Sequence, residues 1–295
     1  MGDNIIEIFY YTDEFCKGFE KQFTQRLLSD GKNKRLRAMN LSLSEVMTIA
    51  IFYHSSGYKT FKDFYIKSEP VLRFYFPNLV SYNRFIELRQ KIVIPLFTFL
   101  QLNCLGACTG ISYIDSFSLE ACNIKRSSSH KVFRGIAQKG ATSMGWFYGF
   151  KVHCTINHQG EIINLRITSG NTSDSNIDTV LGVTQNMFGK LFGDKGYLGQ
   201  KLFETLFDRG ITLITKIRRN MKNRLMDSVD KYLLQKRGLI ESVFAILKQQ
   251  LSIEHTRHHS PMAFLAHIAS AFIAYSFRPK KPSLRFKLKP FISCA

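Results

Sequence analysis

Three acids in this 295-residue chain stand where their surroundings are apolar or basic, and carboxylates in such places can do chemistry. Asp115 ends the apolar run Ile111-Ser112-Tyr113-Ile114. Asp194 follows Leu191-Phe192-Gly193 and precedes Lys195-Gly196-Tyr197. Glu241 lies in a helical stretch, four residues after Arg237 and seven before Lys248. A charge in an apolar strand must be paired, hydrated or bound to metal. An acid at the carboxyl end of a strand borders the crevice where open α/β sheets take their ligands. At about 100° per residue, Arg237, Glu241 and Lys248 share one helix face. Carboxylates that converge raise one another's pKa unless a cation joins them. An all-oxygen donor set suits Mg²⁺ or Mn²⁺. Two such ions about 3.5–4 Å apart can activate a water or a 3′-hydroxyl for in-line displacement at phosphorus. Each acid also has a plainer reading: Asp115 as a strand-end polar residue, Asp194 as a turn former, and Glu241 as the partner of Arg237 in an i, i+4 pair worth about 0.3–0.5 kcal/mol. Spacing alone leaves both readings open.

The charge balance favours an anionic partner. Lys and Arg number 41 against 22 for Asp and Glu, a formal charge of +19. Such a surface attracts polyanions, nucleic acid first and an anionic membrane second. Between Glu120 and Glu161 there is no acid, whereas Lys125, Arg126, Lys131, Arg134, Lys139 and Lys151 are basic, and a second cluster runs through Lys216, Arg218, Arg219, Lys222 and Arg224. Neutralised phosphates and released counterions would supply affinity for a duplex there. The candidate DNA contacts are Lys131, Arg134, Lys151, Lys195, Arg218, Arg219, Arg237 and Lys248. The apolar stretches Ile92–Ala107 and Pro261–Phe277 are interrupted or short, so they read as buried helices, not membrane spans. Met1–Glu14 carries four acids where a signal peptide needs a positive start, and the six cysteines lack CxxC spacing. These features predict a cytoplasmic protein with free thiols.

Positioning three distant acids requires a particular order of elements. The first hundred residues read as mainly helical, with a capping box at Ser42-Leu43-Ser44-Glu45 opening a helix to about Tyr53, and a second helical stretch from Ser81 to Leu100 interrupted at Pro95. From Gly110 the pattern changes to strands at Ile111–Asp115, Phe147–Ile156 and Glu161–Thr168, the last two joined by a hairpin signal at Asn157-His158-Gln159-Gly160. A helix from about Asp174, a strand at Lys190–Gly193, a helix near Gln200–Asp208 and a strand at Ile211–Lys216 follow, predicting a mixed α/β sheet flanked by helices. Asp174 reads as a helix N-cap or first-turn acid. An amphipathic helix spans Lys236–Leu251, and His255, His258 and His259 fall in a polar turn. The expected organisation is a helical unit over 1–105, able to dock on DNA, an α/β unit over 106–278 and a basic tail over 279–295.

The chain resembles insertion-sequence transposases of the DDE class, in particular the family numbered nine-eighty-two. The residues that carry the resemblance are Tyr113-Ile114-Asp115-Ser116, His130-Lys131-Val132-Phe133-Arg134-Gly135, Gly145-Trp146-Phe147-Tyr148-Gly149-Phe150-Lys151-Val152-His153 and Thr168-Ser169-Gly170-Asn171. They continue with Leu191-Phe192-Gly193-Asp194-Lys195-Gly196-Tyr197, Arg237-Gly238-Leu239-Ile240-Glu241 and Arg257-His258-His259-Ser260. The resemblance implies an RNase H-like sheet carrying a DDE triad at Asp115, Asp194 and Glu241, which would also be the metal ligands. It further implies Mg²⁺, with Mn²⁺ as a substitute, and double-stranded DNA as partner, both terminal inverted repeats and target. Cleavage at the element ends, transfer of the 3′-hydroxyls, a homodimer when two ends are paired, and a nucleoid-associated prokaryotic setting complete the expectation. The alternatives are a nuclease of the same fold without strand transfer, and a catalytically silent end-binding protein.

Overall fold

The computed structural model describes residues 2–29, 40–142, 145–216, 226–254 and 258–284. Six helices come first: α1 (Gly2–Ser29), α2 (Leu43–Ser55), α3 (Phe61–Lys67), α4 (Glu69–Tyr75), α5 (Tyr82–Lys91) and α6 (Val93–Phe99). The capping box at the head of α2 forms as its sequence predicts. Ser42 Oγ accepts from the Glu45 amide at 3.1 Å, and the Glu45 carboxylate accepts from the Ser42 amide at 2.7 Å. Ser42→Ala is therefore expected to cost about 1 kcal/mol and to lower the melting temperature by about 2–4 °C, measurable by calorimetry. The stretch from Ser81 is two helices, not one, because the chain breaks at Ile92 and restarts with Pro95 in the first turn of α6, where a missing N–H costs nothing.

A six-stranded mixed sheet follows, made of β1 (Ile111–Cys122), β2 (Gln138–Thr142), β3 (Gly145–Asn157), β4 (Ile162–Ser169), β5 (Gly189–Gly193) and β6 (Ile211–Thr215). Its path is β2-β3-β1-β5-β6, with β4 on the free half of the β3 edge. β1, β3 and β4 are antiparallel neighbours, whereas β5 and β6 run parallel to β1. The β3–β4 hairpin turns at Gly160, whose φ of +74° suits a residue without Cβ. α7 (Ile177–Val183) and α8 (Gln200–Phe207) cover one face of the sheet. There Ile114, Leu191, Val180, Val183, Leu202 and Leu206 share a core.

The other face, with Tyr113, Phe117, Val152, Cys154 and Phe192, is covered by α9 (Ser228–Gln235), α10 (Gly238–Ala245) and α11 (Pro261–Ser276). The alternation of side chains along β1 thus sends odd-numbered residues from 113 to 117 toward α10 and even-numbered ones toward α7 and α8. α11 lies within the stretch 106–278 but packs against α2, α5 and α6, and one buried core runs from Ile5 through Phe52 and Phe85 to Phe272. The predicted helix over 236–251 is regular only to Ala245. It then widens into a π turn over Ile246–Gln250, where the Leu251 amide bonds to the Ile246 carbonyl at 3.0 Å. Of the basic tail, residues 281–284 return along the hairpin, Leu284 donating to the His158 carbonyl at 2.9 Å. Residues 285–295 lie outside the described set, as do Lys32, Lys34, Arg35 and Arg37. No helix among the described residues is long and apolar enough to cross a membrane.

Candidate active site

Asp115 and Asp194 meet through strand register. In the parallel pair β1–β5, Tyr113 is matched with Phe192, and their rings pack with centroids 5.5 Å apart. Asp115 stands two residues further along β1, and Asp194 stands one residue beyond the end of β5, still in extended conformation with φ −80° and ψ 173°. A two-residue step returns a side chain to the same face, so carrying the register on by that step directs both acids to the α10 side, and Asp194 is near enough to raise the Asp115 carboxyl.

α10 is fixed to that face near its C-terminal end, and α9, which leads into it, is tied to β1. Phe244 packs on Phe117 with ring centroids 4.6 Å apart, and the Tyr113 hydroxyl donates to the Leu233 carbonyl at 3.2 Å. This places Arg237, at the start of α10, over Asp115. Its guanidinium donates to Asp115 Oδ2 at 3.0 Å and to Glu241 Oε1 at 2.9 Å. Arg237 and Asp115 have side chains 18% and 21% exposed, whereas Glu241 is 59% exposed, so the Asp115 contact is the more strongly felt.

Burial pushes the Asp115 carboxyl up to about 6, against an ordinary 3.8. The Ser116 amide, which donates to Asp115 Oδ1 at 2.8 Å, and Arg237 pull it down, while Asp174 and Asp194 push it up. The folded protein therefore holds this proton more tightly than the unfolded chain. The contribution to stability is complete below about pH 4 and is lost as pH rises through about 6. Asp115→Asn should flatten that part of the metal-free melting profile; an unchanged slope between pH 4 and 6 would assign it to other groups.

Among the described residues, no three His, Cys, Asp or Glu side chains close round one point as a formed metal cage. A cation nonetheless stands between two of the acids, the guanidinium of Arg237, and the donors available to an ion are carboxylate oxygens. Charge deficit and donor chemistry both fit a hard divalent ion.

The other predicted contacts separate into groups. Lys131 and Arg134, in the link between β1 and β2, and Lys195, next to Asp194, are exposed. Lys151 is 12% exposed and turned to Asp174 at 3.2 Å. Lys248, displaced by the π turn, pairs with Glu254 at 2.6 Å and lies 5.3 Å over the Phe117 ring. Arg218 and Arg219 lie outside the described residues. His258 is not in a solvated turn; it is buried against Phe264 and His267, with ring centroids 5.4 and 4.9 Å away.

Asp174 also differs from its sequence reading. Asn176 caps α7 by accepting from the Thr179 amide, and Asp178 is the acid of the first turn. Asp174 instead accepts from Ser116 Oγ at 2.6 Å and from Lys151 Nζ. His153 approaches it to 3.8 Å, but burial pushes that imidazole down to about 4, so it is neutral near pH 7 and forms no ion pair. The usable signal was Lys151 itself, since a lysine within a buried strand needs a carboxylate from somewhere.

A family model described as a transposase DDE domain matches residues 105–261. No curated protein is similar to the chain at a significant level. Among solved structures, the chain is similar to a piggyBac transposase synaptic complex with hairpin DNA at 11% identity and a TM-score of 0.45, covering 93% of this chain and 71% of that one. It is also similar to the Mos1 strand transfer complex at 13% identity and a TM-score of 0.24, covering 88% and 86%. Both scores are too low to add to the argument.

Proposed function

The chain belongs to the transposase DDE domain family, and from that premise we propose that it is a DNA transposase of an insertion sequence, within the family numbered nine-eighty-two. It would bind terminal inverted repeats, cut at the element ends and join the 3′-hydroxyls to target DNA, with Asp115, Asp194 and Glu241 as its DDE triad on an RNase H-like sheet. The observation that supports this reading is Arg237, which donates to both Asp115 and Glu241 where the parallel pairing of β1 with β5 leads into Asp194.

Divalent ions, Mg²⁺ or Mn²⁺, would supply the activation of the attacking oxygen and the stabilisation of the leaving one. The protein's own residues do the rest. Asp115 and Asp194 would offer their carboxylates from the sheet, and Glu241, paired with Arg237 on the helix that Phe244 anchors, would join them when an ion binds. The Ser116 amide fixes the Asp115 oxygen it touches, leaving Oδ2 directed toward α10. Lys195, exposed next to Asp194, and Lys131 and Arg134 are suited to hold backbone phosphates. Pairing two ends would bring two copies together in a cytoplasmic, nucleoid-associated complex.

The test is a strand-transfer assay on linear DNA ending in the inverted repeats that border the coding region, with labelled 3′ ends and Mg²⁺. Joined products are expected, and none should form in EDTA. Cleavage without joining would favour the nuclease alternative, and binding without cleavage the end-binding one.

A further inference from the structure

We propose that Asp174 is a positioning residue for this centre, holding the segment of β1 that carries Asp115 from beside the turn that follows Asp194. The proposal rests on the reading of Asp115, Asp194 and Glu241 as the metal-binding triad. Asp174 stands in the link between β4 and α7, and α7 has no need of it, since Asn176 is the cap. Its Oδ1 accepts from Ser116 Oγ at 2.6 Å, one residue after Asp115. Its Oδ2 faces the open side of Gly196, two residues after Asp194, where a side chain added to the glycine would come to 3.6 Å from it. One carboxylate is therefore bonded to the segment that carries Asp115 and stands beside the turn that follows Asp194.

The path to the centre is continuous. Asp174 holds the Ser116 hydroxyl, the Ser116 amide holds Asp115 Oδ1, and Asp115 Oδ2 is left for Arg237. Because Asp115 and Ser116 point to opposite faces of β1, Asp174 reaches the centre from behind the sheet and acts through Ser116. Lys151 Nζ, at 3.2 Å, offsets the negative charge that Asp174 brings close to two further acids. Its side chain is 31% exposed, so this is a partly enclosed contact and not a loop charge facing solvent.

The experiment uses the full chain and compares Asp174→Asn, Asp174→Ala and Ser116→Ala with the parent protein. Mn²⁺ binding without DNA is measured by calorimetry, cleavage is followed against Mg²⁺ concentration, and duplex binding is followed by fluorescence anisotropy. The Asp174 variants should bind Mn²⁺ about 10–100-fold more weakly, the range for residues that orient metal ligands. They should regain most of the cleavage rate at saturating Mg²⁺ and bind duplex as before. Ser116→Ala should show the same shift, and the Ser116→Ala, Asp174→Ala double variant no more than the larger single effect, because both lie on one path. Unchanged Mn²⁺ affinity in the Asp174 variants would overturn the proposal, as would a loss of cleavage that saturating Mg²⁺ does not restore. If Asp174→Ala fails to fold, Ser116→Ala decides by the same criteria. A parent protein that cleaves with Mg²⁺ while the variants match it defeats this inference alone; a parent that neither binds Mn²⁺ nor cleaves defeats the functional reading beneath it.

Discussion

Asp194→Asn is expected to abolish DNA cleavage and joining while leaving the fold and duplex affinity in place. Asp194 makes no capping bond to the short 3₁₀ turn that follows it. Its amide analogue keeps the same shape and removes one negative charge from the edge of the sheet. If Asp194 is a triad member, the transition state would lose the charge stabilisation that depends on that carboxylate, several kcal/mol. At about 1.4 kcal/mol per decade this is a fall in rate of about 10³-fold or more. Plasmid nicking in Mg²⁺ gives the rate, and anisotropy with labelled duplex gives the affinity. A variant that nicks at the parental rate would remove Asp194 from the site.

Arg237→Ala should produce the second large effect, on stability. Arg237 is the cation between Asp115 and Glu241, and its removal leaves a largely buried carboxylate without its partner. Breaking a fully buried pair costs about 3–5 kcal/mol. With Asp115 and Arg237 about one-fifth exposed, about 2 kcal/mol is the expected loss in metal-free buffer. Glu241 adds little, being 59% exposed. Millimolar Mn²⁺ should narrow the gap, because a bound ion replaces the missing charge and stabilises the folded form by mass action. Thermal melts of both proteins with and without Mn²⁺ read this directly. A deficit that is the same in both buffers would mean that Arg237 contributes packing and not charge.

What was legible in the sequence was what local chemistry encodes. The Ser42–Glu45 capping box, the turn at Gly160 and the strand around Asp115 all carry their signals within a few residues, and all are present. β2 was not legible, because Gln138-Lys139-Gly140-Ala141-Thr142 lacks a β-branched or aromatic run and exists through its pairing with the start of β3. The helix through Glu241 was legible, but its π turn was not, and Lys248, within that turn, pairs with Glu254. Asp174 was misread for the same reason. A helix cap is a good local account of an acid after Thr172-Ser173, with the true cap only two residues on at Asn176, whereas Ser116 lies 58 residues back and meets Asp174 through the sheet alone. The parallel neighbourhood of β1 and β5, which leads toward Asp115 and Asp194, was not legible either, because strand pairing is a tertiary fact.

The most direct test of the central claim is anomalous diffraction at the manganese edge from crystals of the protein grown with Mn²⁺. The account predicts an ion bound by carboxylate oxygens of Asp115 and Asp194, with Glu241 beside it and the Arg237 guanidinium moved from between the acids. Manganese bound elsewhere, with Arg237 still seated between Asp115 and Glu241 in crystals whose protein cleaves DNA, would contradict it.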